Sequence, residues 1–157
     1  MAQPAFIATC AALLFLSFGA RAQGAGDTPK AAFEPELARA LGADDNGMKS
    51  YVLVILKTGP NKVPAGPERD EMFKGHFANM NRLSGAGKLA LAGPFDGVDG
   101  WRGLFIFAVT DIAEAQALVA TDPVIIKGEM VAEYHAYYGS AALMLVRDAH
   151  DRISRKR

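Results

Sequence analysis

Two stretches of the chain are apolar on both of their faces. "YVLVILKT" (51–58) and "WRGLFIFAVT" (101–110) are short, rich in β-branched or aromatic residues, and bounded by turn-forming glycine and proline, so each reads as a buried strand. In the second, Phe105 and Phe107 point one way and Leu104, Ile106 and Ala108 the other. A sheet built from such strands has two faces to cover, because soluble chains rarely leave a large apolar face open.

The segments between and around them supply the rest of the sheet and one of its covers. "GPNKVPAGP" is a loop, and Pro67 opens a helix at the position that suits proline, with Glu68, Asp70 and Glu71 at its positive end. The helix runs to about Ser84 and stops at Gly85 and Gly87. "KLALAGPF" (88–95) is a second strand, joined by the turn "DGVDG" to the strand that starts at Trp101. Asp111 and Glu114 form a capping-box pattern for a second helix ending near Thr121. "DPVIIKGE" is a connector, and "MVAEYHAYYG" (130–139) is a fourth strand. The order β-α-β-β-α-β predicts an α+β, ferredoxin-like unit over residues 48–144.

Two helices cover only one face of four strands. The cheapest cover for the other is a second copy of the same sheet, so a homodimer closed into a dimeric α+β barrel is expected. The alternative cover is the segment "SAALMLV" of the same chain.

The N-terminus reads as an export signal. An apolar run from Phe6 to Ala20 is followed by Ala20-Arg21-Ala22, a small-x-small cleavage pattern, with cleavage expected after Ala22. The run is shorter than the ~20 residues of a membrane-spanning helix. No Lys or Arg precedes it, which departs from the usual pattern and leaves an uncleaved anchor as the alternative. Cys10 lies inside the run, without the small preceding residue of a lipoprotein site. Removing residues 1–22 leaves no cysteine, which suits a periplasmic or secreted location and excludes cysteine nucleophiles and thiolate metal sites. Residues 23–47 read as a flexible leader with a short helix from Pro35 to Leu41, and residues 145–157 as a polar, basic tail. The whole chain carries 17 basic and 17 acidic side chains, so no nucleic-acid-binding face is expected, and no membrane contact after signal cleavage.

Within this frame His76 is the residue most suggestive of chemistry. Helical spacing places Met72, His76, Asn79 and Leu83 on one stripe, with Phe73, Phe77 and Met80 beside it. A histidine at that border either packs against a backbone carbonyl or serves a site. Asp122 is its candidate partner, although Asp before Pro is also a good N-cap for the short segment after it. A carboxylate has lone pairs for both tasks. If Asp122 reaches His76 it fixes the ring's tautomer and makes a general acid or base, a role worth ~10²–10⁴-fold in rate. His135 shares one face of the last strand with Val131, Glu133 and Tyr137, which suits either a pocket wall or an exposed strand end. His150 lies in the polar tail. No HExxH motif, no phosphate-binding glycine loop and no nucleophile elbow around Ser140 is present, so neither metal nor cofactor is expected.

The stretches "KGHFANMNRLSGAGKLALAGPF", "RGLFIFAV", "AQALVATDPVIIKGE" and "YGSAALM" together resemble the YCII-related domain family, and "LGADDNGMKSYVLVILKTGPN" an exported branch of it. The resemblance covers about Met48 to Met144. It implies a ferredoxin-like fold, a dimeric barrel and a His-Asp pair, which by motif is His76 and Asp122 here. It also draws attention to Arg69, upstream of His76, which either binds an anionic group or merely pairs with the acidic residues around Glu68 and Asp70. It does not name a substrate. A cofactor-independent lyase or isomerase acting on a small molecule through His76 and Asp122, with Arg69, Asn79 and His135 binding substrate, is one reading. A non-catalytic small-ligand-binding protein, or a structural homodimer stiffened by the His-Asp pair, is the other.

Overall fold

The structure, a computed structural model, describes residues 32–155. The apolar N-terminal run, Cys10 and the expected cleavage position after Ala22 lie outside those residues. A first helix, α1 (Pro35–Leu41), starts on proline and ends at Gly42, whose φ of 69° is the left-handed turn that glycine adopts without steric cost. The short helix expected in the leader is therefore present, over the residues the sequence suggests. β1 (Met48–Thr58) begins at Met48, ahead of the apolar run, because Asp44 organises the turn before it. The Asp44 carboxylate accepts the N–H groups of Asn46 and Met48 at 2.8 and 3.0 Å.

α2 (Pro67–Gly85) crosses back over the sheet to β2 (Leu89–Pro94). A 3-10 turn (Val98–Gly100) leads into β3 (Trp101–Phe107). α3 (Ile112–Val119), the short α4 (Pro123–Ile126) and β4 (Met130–Ser140) complete the core. Asp111 caps α3 through the Ala113 N–H at 2.9 Å, but Glu114 does not close a capping box. It reaches sideways to Lys88 at 2.8 Å instead.

The four strands form one antiparallel sheet in the order β2-β3-β1-β4, so the protein is α+β. Val54 of β1 stands between Phe105 and Tyr134 on the face beneath the helices. Val52, Val54, Leu56, Phe105 and Phe107 pack there against Met72 and Leu83 of α2, Ala115 and Val119 of α3, and Val124 of α4. Burying such side chains contributes about 1.5–3 kcal/mol each.

On the opposite face Tyr51, Ala90 and Ile106 are buried, with Leu143 and Met144 packed over them. Those two residues belong to a 3-10 turn (Ala141–Leu145) in the segment "SAALMLV", so the chain covers part of its own second face. The remainder, along β4, carries Glu133, His135 and Tyr137. Within the polar tail, residues 146–153 form α5 (Val146–Ile153), which packs by β2 and carries an Arg147–Asp151 pair at 3.7 Å across one turn. No helix among the described residues is long and apolar enough to cross a membrane.

Candidate active site

The buried stripe of α2 is Met72, His76, Asn79 and Leu83. What brings α4 up to it is a glycine. A Cβ at Gly75 would stand 2.9 Å from Cγ of Pro123, so the two helices meet at a point that only a hydrogen on α2 leaves open. His76 follows Gly75 and Asp122 precedes Pro123, and their side chains meet. His76 Nδ1 lies 2.9 and 2.8 Å from the two carboxylate oxygens of Asp122. Asp122 is 1% exposed and also N-caps α4, accepting the Val124 N–H at 3.1 Å. Capping and histidine binding are thus done by one carboxylate.

In the neutral ring, an Nδ1–H donated to Asp122 leaves the lone pair on Nε2. Nε2 has no hydrogen-bond partner among the described residues, and the ring lines a cavity of about 400 Å³. Phe73, Phe77 and Phe105 frame the imidazole, with ring centroids 6.1, 5.4 and 6.1 Å away. Met80 and the Ala92-Gly93-Pro94 edge of β2 extend the apolar wall, and Arg102 supplies its one charged side chain. A proton acceptor held in one orientation beside an apolar chamber can take a proton from a small molecule and return it.

The other candidates fall elsewhere. Asn79 is buried on the same stripe, but it faces the α3–α4 junction. Its side-chain oxygen accepts from Arg82 at 2.7 Å and from the Thr121 hydroxyl at 3.2 Å, and it does not line the cavity. His135 is paired across from Leu53, on the sheet face away from the helices, so it does not share a site with His76. Its Nε2 lies 2.8 Å from Glu133, which also pairs with Lys57. His150 bonds Ser154 at 2.9 Å, and the Ser140 hydroxyl caps the following turn through Ala142.

Arg69 is engaged by a partner that local sequence did not suggest. It pairs with the buried Glu129 at 2.8 Å, donates to the Val63 carbonyl at 2.8 Å, and stacks over Phe73 at 4.9 Å. It is therefore a strut between the β1–α2 loop and the start of β4. Glu129 is held on its other side by the Val63 N–H at 2.7 Å. Burial works to raise its carboxyl, but the Val63 N–H, the Arg69 guanidinium and the charge of Arg102 outweigh this and hold it below the usual carboxylate range. Neither Glu129 nor Arg102 was singled out from the sequence, and Glu129 carries no local signal. The available signal was Arg102 itself, a lone cation inside an otherwise apolar strand.

Among the described residues no three His, Cys, Asp or Glu side chains group closely enough to hold a metal ion. No curated protein matches the chain. The family model described as "YCII-related domain" matches residues 50–136, a span that runs from β1 into β4 and holds both His76 and Asp122. The chain belongs to the YCII-related domain family.

Proposed function

We propose that this YCII-domain protein is a cofactor-independent enzyme of lyase or isomerase type, using His76 as its acid–base group on a small molecule. The observation that carries the reading is the division of labour on one imidazole. Nδ1 is held by a buried carboxylate, while Nε2 is left to an apolar cavity large enough for a compact ligand. Nε2 takes a proton from an acidic C–H or O–H of the substrate. It then returns that proton to another atom of the same molecule in an isomerisation, or to a leaving group in an elimination. Asp122 keeps the ring in its working tautomer throughout.

The protein is further proposed to be exported and to work as a homodimer. The N-terminal apolar run with its Ala-Arg-Ala pattern supports the first. The β2-β3-β1-β4 order supports a ferredoxin-like unit, and the partly uncovered second sheet face supports pairing into a dimeric barrel. The alternative is a non-catalytic binding or structural role, favoured by the bond from Asp122 to the Val124 N–H, which gives the carboxylate work unrelated to His76.

A small-molecule panel read by thermal shift, followed by solvent deuterium exchange into each hit, tests the choice. The enzyme reading expects exchange in wild type and none in His76→Asn. Ligand shifts without exchange in either protein would leave only the binding reading.

A further inference from the structure

Arg102 occupies an irregular position on β3. Leu56 of β1 pairs with Gly103, and the next β1 residue, Lys57, pairs with Trp101, so Arg102 is an extra residue with no partner on β1. A bulge of this kind re-aims the side chain it carries. Here it brings Arg102 to the helix side, where it lines the His76 cavity and also the adjoining cleft of Lys62, Arg69 and Glu129.

The charges at that junction do not balance. Glu129 Oε1 is bonded to Arg69 at 2.8 Å and stands 3.7 Å from Arg102, beyond hydrogen-bond reach. Its Oε2 accepts the Val63 N–H. One carboxylate is therefore shared by two guanidiniums, hydrogen-bonded to Arg69 and only ion-paired with Arg102, whose side chain makes no hydrogen bond among the described residues. A guanidinium offers five N–H donors in a planar fork matched to a carboxylate, and one with no acceptor bonded to it has that fork free for a ligand. The rest of the cavity wall is aromatic and aliphatic, apart from His76.

We propose that Arg102 is the anion anchor of this cavity, and that its ligand is a small organic acid. The acid's carboxylate, or the enolate it forms, sits on the Arg102 fork, and its apolar body lies among Phe73, Phe77 and Phe105. This names the substrate class of the His76 site. It rests on the acid–base reading only for the chemistry after binding.

Calorimetric titration of the full chain with three probes decides the matter: benzoate, benzamide as its neutral isostere, and acetate as the charge without the ring. Benzoate should bind at least ~tenfold more tightly than either of the others. Arg102→Gln should weaken benzoate roughly tenfold to a hundredfold and leave benzamide where it was, and Arg102→Lys should restore part of the loss. His76→Asn should keep the preference for benzoate over benzamide. The proposal is overturned if wild type binds benzamide as tightly as benzoate, if it binds neither, or if Arg102→Gln still prefers benzoate. Should Arg102→Gln melt early, the wild-type ranking and the lysine variant decide. Charge preference without proton exchange would end the acid–base reading alone, and exchange confined to neutral ligands would end this one alone.

Discussion

Gly75 and Pro123 touch where α2 meets α4, and a Cβ on Gly75 would come within 2.9 Å of the proline ring. The neighbours of these two residues, His76 and Asp122, form the pair at the candidate site, so the packing of two small backbone surfaces sets the length of that pair. Gly75→Ala should gain helix propensity, about 0.5–1 kcal/mol, and lose more than that to overpacking against a ring that cannot rotate away. A net destabilisation of about 1 kcal/mol is expected, together with a longer His76–Asp122 contact. Chemical unfolding measures the first. The low-field imidazole N–H resonance of His76 measures the second, and should weaken or shift in the variant. A Gly75→Ala protein more stable than wild type with that resonance unchanged would refute the account.

The two tasks of Asp122 can be separated by substitution. Asp122→Asn keeps an oxygen for the Val124 N–H, so the cap on α4 survives, but it replaces the carboxylate facing Nδ1 by a neutral amide. Asp122→Ala removes both. The asparagine variant should retain most of the folding stability and lose most of any His76-dependent proton exchange. The alanine variant should lose about 1 kcal/mol for the cap and more for the unpaired buried imidazole. Equal stabilities for the two variants would show that capping contributes nothing at this position.

The parts of this molecule that sequence reveals are those set by local periodicity. β1 and β3 stand out because they are apolar on both faces, and the α2 stripe of Met72, His76, Asn79 and Leu83 is the set that the fold buries. The Asp-Pro step announces a cap, and the cap is there. What local pattern does not carry is partnership across the chain. Arg69 sits among acidic neighbours, yet it pairs with Glu129 from the start of β4. His135 alternates onto the expected face of its strand, but only the strand order reveals that this face is turned away from His76. Arg102 aims at the cavity through a bulge, and a bulge is a property of two strands in register. The helix α5 was hidden for a different reason: its polar, basic composition resembles that of a solvated tail, while its contacts with β2 exist only in the folded chain.

The second face of the sheet yields a prediction about association. Leu143 and Met144 cover its β2 side, while on its β4 side Val131 is 44% and Tyr137 37% exposed. If two copies pair through this face, sedimentation should give twice the monomer mass. Tyr137→Glu, which puts a charge beside the Tyr51 ring 6.2 Å away, should weaken association at least ~tenfold. A wild type that sediments as a monomer at micromolar concentration would remove the barrel from the reading and leave "SAALMLV" as the only cover.

Acid should loosen the strut beneath the cavity, and Glu129 fixes the sign of the effect. Its folded carboxyl is held below the ordinary value of about 4.3. Between that value and the folded one the unfolded chain binds more protons, so acidification favours unfolding. The stability that Glu129 contributes is fully present above the ordinary value and is lost as pH falls through the folded one. Asp44, Glu68 and Glu133 are also depressed, through Tyr138, Lys127 and Lys57 respectively, so wild type alone does not isolate the strut. Comparison with Glu129→Gln does, because those three groups are common to both proteins. At pH 7 the variant should be less stable by about 2 kcal/mol, since Arg69 loses its carboxylate while the amide oxygen can still accept the Val63 N–H. Denaturant unfolding from pH 7 down to pH 3 should show that gap closing below about pH 4. Two curves that stay parallel over the whole range would mean that Glu129 titrates alike in the folded and unfolded chains, and that the Arg69 pair contributes nothing that depends on charge.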